Sequence, residues 1–147
     1  MQKYVIYSIS LALLIFMSSC SGTMPDNLGL VKGKLIDCPD SPNCVSTQTM
    51  KEDAKMDPLT YNGSLDAAVK KLVAVVNEQP RTKIIKQTDS YMHVEFKTKV
   101  MRFVDDVEFY FDDSSKKIHF RSASRLGHSD MGLNRKRMEE VTAAFNA

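Results

Sequence analysis

Between residues 91 and 122, apolar and polar side chains alternate one for one. Met92, Val94 and Phe96 fall on one side of an extended chain, and His93, Glu95 and Lys97 on the other. Val107, Phe109 and Phe111 alternate with Asp106, Glu108 and Tyr110, and Ile118 and Phe120 alternate with Lys117, His119 and Arg121. Successive side chains of a strand point to opposite faces. The pattern therefore predicts strands over residues 91–98, 106–111 and 117–122, with a further one over 82–88. The shared division predicts an antiparallel sheet with one covered face and one solvated, charged face, because a parallel sheet buried on both sides would not alternate. Asp89 and Ser90, and residues 112–116, supply the turns. A hairpin centred between Ser114 and Ser115 sets Glu108 opposite Arg121 and Tyr110 opposite His119, a register that the charge pair favours by ~0.2–1 kcal/mol.

Two stretches have helical period instead. Leu65, Ala68, Val69, Leu72, Val73 and Val76 form one stripe, with Ser64 as N-cap, Asp66 in the first turn, and Asn77 and Pro80 at the end. A second helix is predicted over residues 134–145, with Met138, Val141, Ala144 and Phe145 inward. Upstream of Tyr61 prolines and glycines prevent long elements, although residues 45–48 suit a short edge strand. The prediction is an α+β fold, a four-stranded antiparallel sheet with two helices packed on one face.

At 147 residues there is room for one domain. Residues 1–19 read as a signal peptide: Lys3 gives a positive start, and an apolar run of about a dozen residues follows. The run is short for a spanning helix. It ends in Met17-Ser18-Ser19-Cys20, which resembles the lipobox of bacterial lipoproteins, with Met17 where leucine is usual. Cys20 is thus the expected lipidation (palmitate) site, residues 20–37 a lipidated tether, and residues 38–147 a single α+β domain. The implied location is the cell envelope, lipid-anchored, at the periplasmic face of the outer membrane. Cys38 and Cys44 then remain as a pair in an oxidising compartment and are expected to form a disulfide, since their spacing is wrong for zinc and further ligands are lacking nearby.

Net charge is +2, and losing residues 1–19 removes Lys3 and leaves +1. So weak a balance gives no reason to expect nucleic acid as a partner. Three groupings merit chemical scrutiny. Gly127-His128-Ser129-Asp130-Met131 approaches a nucleophile elbow, but the second glycine is missing and no histidine follows Ser129; a turn is the better reading. His93, Glu95 and His119 share the charged sheet face, yet Lys97 and Arg121 beside them oppose a cation, so no metal site and no cofactor is expected. Asp105 and Asp106 are adjacent, so they point to opposite faces and do not form an acid–base dyad. Arg135 and Arg137 stand in the first turn of the last helix, where positive charge is unfavourable by ~0.3–1 kcal/mol each. They require negative partners: Asp105, Asp106 or Asp130 within the chain, or a bound anion.

The segments Cys-Pro-Asp-Ser-Pro-Asn-Cys-Val-Ser-Thr-Gln (38–48), Arg-Phe-Val-Asp-Asp-Val-Glu-Phe (102–109) and Arg-Ser-Ala-Ser-Arg-Leu-Gly-His-Ser-Asp-Met-Gly-Leu-Asn-Arg-Lys-Arg (121–137) resemble those of a bacterial family, domain of unknown function fourteen-ninety-nine. Thr47 and His128 depart from its usual serine and tyrosine. The resemblance implies an envelope protein and supplies no activity, substrate or catalytic residue. The leading expectation is a non-catalytic, lipid-anchored module that binds a protein partner, a small anion or a lipid headgroup through Arg121, Arg125, Asn134, Arg135 and Arg137. The second is an envelope lipoprotein whose Arg/Asp cluster is purely architectural. A small hydrolase or metal-dependent enzyme ranks third.

Overall fold

The computed structural model describes residues 22–147. The expected signal peptide and the lipidation site at Cys20 lie outside the described residues. Among the described residues, eight strands and two helices follow in chain order: β1 (Leu30–Val31), β2 (Lys34–Leu35), β3 (Cys44–Ser46), β4 (Leu59–Thr60), α1 (Leu65–Glu78), β5 (Thr82–Gln87), β6 (Tyr91–Lys97), β7 (Val104–Asp112), β8 (Lys117–Ser124) and α2 (Leu133–Asn146).

The architecture is α+β and antiparallel, but the main sheet has six strands where the alternation predicts four. Strands β5, β6, β7 and β8 form the predicted meander. The additional two, β3 and β4, both pair with β8 along its outer edge, β3 opposite residues 121–123 and β4 opposite 117–118. Strands of two or three residues are too short to show a period, which is why only β3 was legible, as the expected edge strand. Together they satisfy a backbone edge that would otherwise be open to another chain. The hairpin register is the one the charge pairing favours, with Glu108 across from Arg121 and Tyr110 across from His119.

Both helices pack on one face. Leu72 and Val76 of α1 and Met138, Val141 and Phe145 of α2 share a core with Val94, Val107, Phe109, Ile118 and Phe120 from the sheet. Ser64 caps α1, its hydroxyl accepting the Ala67 N–H at 3.2 Å. Helix α2 begins without a side-chain cap at Gly132, whose φ of 79° is left-handed; the carboxylate of Asp130 takes the Asn134 N–H instead, at 2.8 Å.

The other face is not solvated as the alternation predicts. His93, Asp106, Glu108 and Arg121 on it are buried, with Glu108 at 0% exposure. The physical reason is the segment leading into the domain. Residues 30–35, expected within the tether, form the β1–β2 hairpin, and β2 lies against β7 and β8. The backbone N–H of Gly29 donates to Glu108 Oε1 at 2.6 Å, and Leu35 is buried.

Cys38 and Cys44 are joined by a disulfide, with Cα atoms 5.7 Å apart. Closing so short a loop contributes about 2 kcal/mol in the chain-entropy model. Urea unfolding with and without dithiothreitol is expected to show that difference; an unchanged midpoint would mean that Pro39 and Pro42 already restrict the reduced loop fully.

Candidate functional site

The arginine-rich segment 121–137 is divided between two networks on opposite faces of the sheet. The division follows from strand geometry: Asp105 and Asp106 are neighbours on β7, so one carboxylate faces the helices and the other faces the N-terminal segment.

On the helix side, Arg137 Nη2 donates to Asp105 Oδ2 at 2.5 Å, and its guanidinium lies over the Phe96 ring, 5.0 Å from the centroid. Arg137 Nη1 donates to Asn134 Oδ1 at 2.7 Å, an atom that also accepts from Ser122 Oγ. The amide nitrogen of Asn134 donates to the Asn43 carbonyl, to Ser124 Oγ and to Asp130 Oδ2. Asn43 in turn donates to the Gly127 carbonyl at 2.7 Å. Asn134 is completely buried. One hub therefore joins the disulfide loop, β7, β8 and the start of α2. Residues 134, 137, 138, 141 and 145 are the inward positions of α2; the first two continue the apolar stripe in polar form.

On the opposite side, Glu95 and Asp106 are directly paired in register across β6 and β7, a juxtaposition of like charges. Arg125 resolves it. Its Nη2 donates to Glu95 Oε1 at 2.5 Å and to Asp106 Oδ1 at 2.7 Å, while Nε donates to Asp106 Oδ2 at 2.7 Å. His93 Nε2 completes the shell of Asp106 at 2.7 Å. Burial pushes the Asp106 carboxyl up, but hydrogen bonds from Arg125 and His93 outweigh it and hold it below the ordinary value. The reciprocal bonds to Asp106 and Glu95 hold the Arg125 guanidinium well above its usual range. With Asp106 ionised, His93 Nε2 is the donor. Glu108, one pair along, accepts from Gly29 N, from Tyr91 Oη at 2.7 Å and from Arg121 Nη1 at 3.3 Å. Burial first, then the bond to Glu108, raises the Tyr91 phenol far above its normal value. Arg121 Nε is buried without a partner among the described residues.

The predicted site residues thus fall in separate places. Arg121 and Arg125 belong to the outer network with Asp106; Asn134 and Arg137 belong to the inner one with Asp105 and Asp130. Arg135 joins neither, and its Nη2 donates to the carbonyls of Asp53 and Lys55. Glu95, Glu108, Tyr91 and Asn43 complete these networks; the sequence marks Glu95 as a metal-ligand candidate and Glu108 as the cross-strand partner of Arg121, and does not single out Tyr91 or Asn43. Nothing local pointed to Asn43.

The chemical alternatives look different in three dimensions. Ser129 Oγ accepts from the Met131 N–H within a turn, and Gly127 has a φ of 92°, so this segment has turn geometry. His119 stacks on Tyr110 and bonds Thr47 Oγ1 at 3.1 Å, whereas His93 is closed against Asp106. Among the described residues, no three His, Cys, Asp or Glu side chains converge as a metal-binding group.

Comparison with characterised protein sequences finds no match. The profile of the family described as "Protein of unknown function (DUF1499)" matches residues 34–145, the span that contains the disulfide, the sheet meander and the side chains of both networks. The chain belongs to that family.

Proposed function

We propose that this protein is a non-catalytic, lipid-anchored module of the bacterial cell envelope whose arginine–carboxylate clusters serve the fold rather than a ligand. One observation carries the second half of this reading: Arg121, Arg125, Arg135 and Arg137 all donate to carboxylates or carbonyls of the same chain. A buried charge must be paired, and here the pairing is internal. An anion entering either cluster would have to displace a carboxylate and leave it buried and uncompensated. The non-catalytic reading is supported by how two of the candidate groups are engaged: Ser129 accepts a backbone N–H within its turn, and His93 is buried against Asp106.

The anchoring half is supported by the residues before the domain, a positive start, a short apolar run and small residues ahead of Cys20. The disulfide is in keeping with export to an oxidising compartment. Metabolic labelling with palmitate is expected to mark the wild-type chain in the membrane fraction and to leave the Cys20→Ser chain unlabelled. Wild-type protein recovered unlabelled in the soluble periplasmic fraction would refute the anchor, together with the outer-membrane location that depends on it.

A further inference from the structure

We infer that the end of the domain formed by the β6–β7 loop and the β8–α2 loop docks on the surface of an anionic phospholipid bilayer. This inference rests on the anchoring proposed above and adds an orientation and a lipid chemistry to it.

Topology places the two loops together. Strand β7 pairs antiparallel with both β6 and β8, so the loop entering β7 and the loop leaving β8 emerge at the same end, where Arg125 N donates to the Val104 carbonyl. Of the eight large apolar side chains exposed among the described residues, five lie in or beside these two loops: Val100, Met101, Leu126, Met131 and Leu133. Such side chains are usually scattered singly over a surface, and their concentration at one end marks an interaction site. Met131 is the clearest. It is 98% exposed and holds a left-handed φ of 54°, a conformation that glycine would adopt at less cost. Neither packing nor backbone geometry accounts for a methionine there.

Charge agrees. Lys99 and Arg102 share the first loop with Val100 and Met101, and Lys136 follows Leu133. A cleft of about 320 Å³ opens between these elements; Phe96 lines its wall, Arg81, Lys97, Lys99 and Lys136 surround it, and Glu140 is the carboxylate among them. Those four cations form no ion pair among the described residues. Basic side chains interleaved with apolar ones suit a headgroup phosphate layer with acyl chains beneath it.

The position of the tether selects the bilayer over other occupants. Gly22 packs against this same end, where a Cβ would come within 3.1 Å of Arg125 Cβ and 3.2 Å of Leu126 Cγ. It follows the expected acylated residue, Cys20, by two positions. Two residues span at most about 7 Å, so an acyl chain on Cys20 brings these loops to the headgroups.

The test uses the full lipidated chain, purified in detergent and reconstituted into vesicles of phosphatidylethanolamine with phosphatidylglycerol. Single thiols introduced as Val100→Cys, Met131→Cys and, in the turn at the opposite end, Ser115→Cys would carry an environment-sensitive fluorophore. A lipid-borne quencher is expected to reach the labels at 100 and 131 but not the one at 115. In the Lys99→Gln, Lys136→Gln double variant the docked-to-free ratio is expected to fall about 25-fold, roughly fivefold for each cation removed. Equal quenching at all three positions would overturn the docking while leaving the anchor intact. A chain that fails to float with the vesicles would remove both. Protection that grows with protein concentration and ignores phosphatidylglycerol would assign the patch to a second copy of the chain and also overturn the proposal.

Discussion

Replacing Arg137 with methionine is expected to destabilise the domain by about 3–5 kcal/mol, the cost of leaving one member of a buried ion pair without its partner. Methionine retains a long side chain over the Phe96 ring, so the change removes charge and hydrogen bonds more than packing. What remains is Asp105, 1% exposed, and Asn134 without its charged donor. In a domain of this size the loss corresponds to roughly 10–20 °C in melting temperature. The double variant Asp105→Leu, Arg137→Met is expected to recover most of it, because removing both charges leaves no orphan. A ligand-binding role makes a different prediction: Arg137→Met would then abolish binding and hardly move the melt. Calorimetry on the two single variants and the double variant separates the readings. A single-variant loss below about 1 kcal/mol, the range of exposed pairs, would refute the architectural role of the Arg137–Asp105 pair.

The parts of this arrangement that were legible in the sequence are those with a period. Strands β6, β7 and β8 run for seven to nine residues, long enough for alternation to fix both their existence and the side each residue takes. Alternation says which side chains share a face and is silent on what lies over that face. Alternation alone therefore places His93, Glu95 and Glu108 toward solvent, while the chain folds its N-terminal segment across that face. That cover is built from single backbone contacts, such as Gly29 N to Glu108, which leave no compositional trace. The partner of Arg125 was hidden for a related reason. Strand β8 extends to Ser124, two residues beyond the apolar alternation, and only that extension carries Arg125 up beside Asp106. Arg135 and Arg137 stand out in the sequence because positive charge at a helix start needs an explanation, whereas Asn134 carries no charge. Asn134 and Arg137 nonetheless share one face. Their helical spacing with Met138 and Val141 could also have shown that they face inward. The disulfide followed from parity and compartment, neither of which depends on local structure.

Removing the outer counter-charge with Arg125→Ala is expected to cost about 3–5 kcal/mol near pH 7, with a pH signature of its own. Without the guanidinium, Glu95 and Asp106 face each other across β6 and β7, and among the described residues His93 is the one side-chain donor left to Asp106. In the wild type the folded Asp106 carboxyl lies below its ordinary value of 3.8. A depressed carboxylate contributes stability that is complete above its unfolded value and drains away as pH falls through the folded one. In the variant the sign reverses, because burial and a facing carboxylate raise that pKa, so protonation relieves the folded state instead of weakening it. The gap between the two proteins should thus be widest at neutral pH, begin to narrow above about pH 4 as the raised carboxyl of the variant protonates, and narrow further below 3.8 as the wild-type Asp106 protonates. Urea unfolding across that range reads the difference directly. A gap that stayed constant down to about pH 3 would mean that the lost free energy came from packing around the Arg125 stem, and that the carboxylate pair had never depended on its charge.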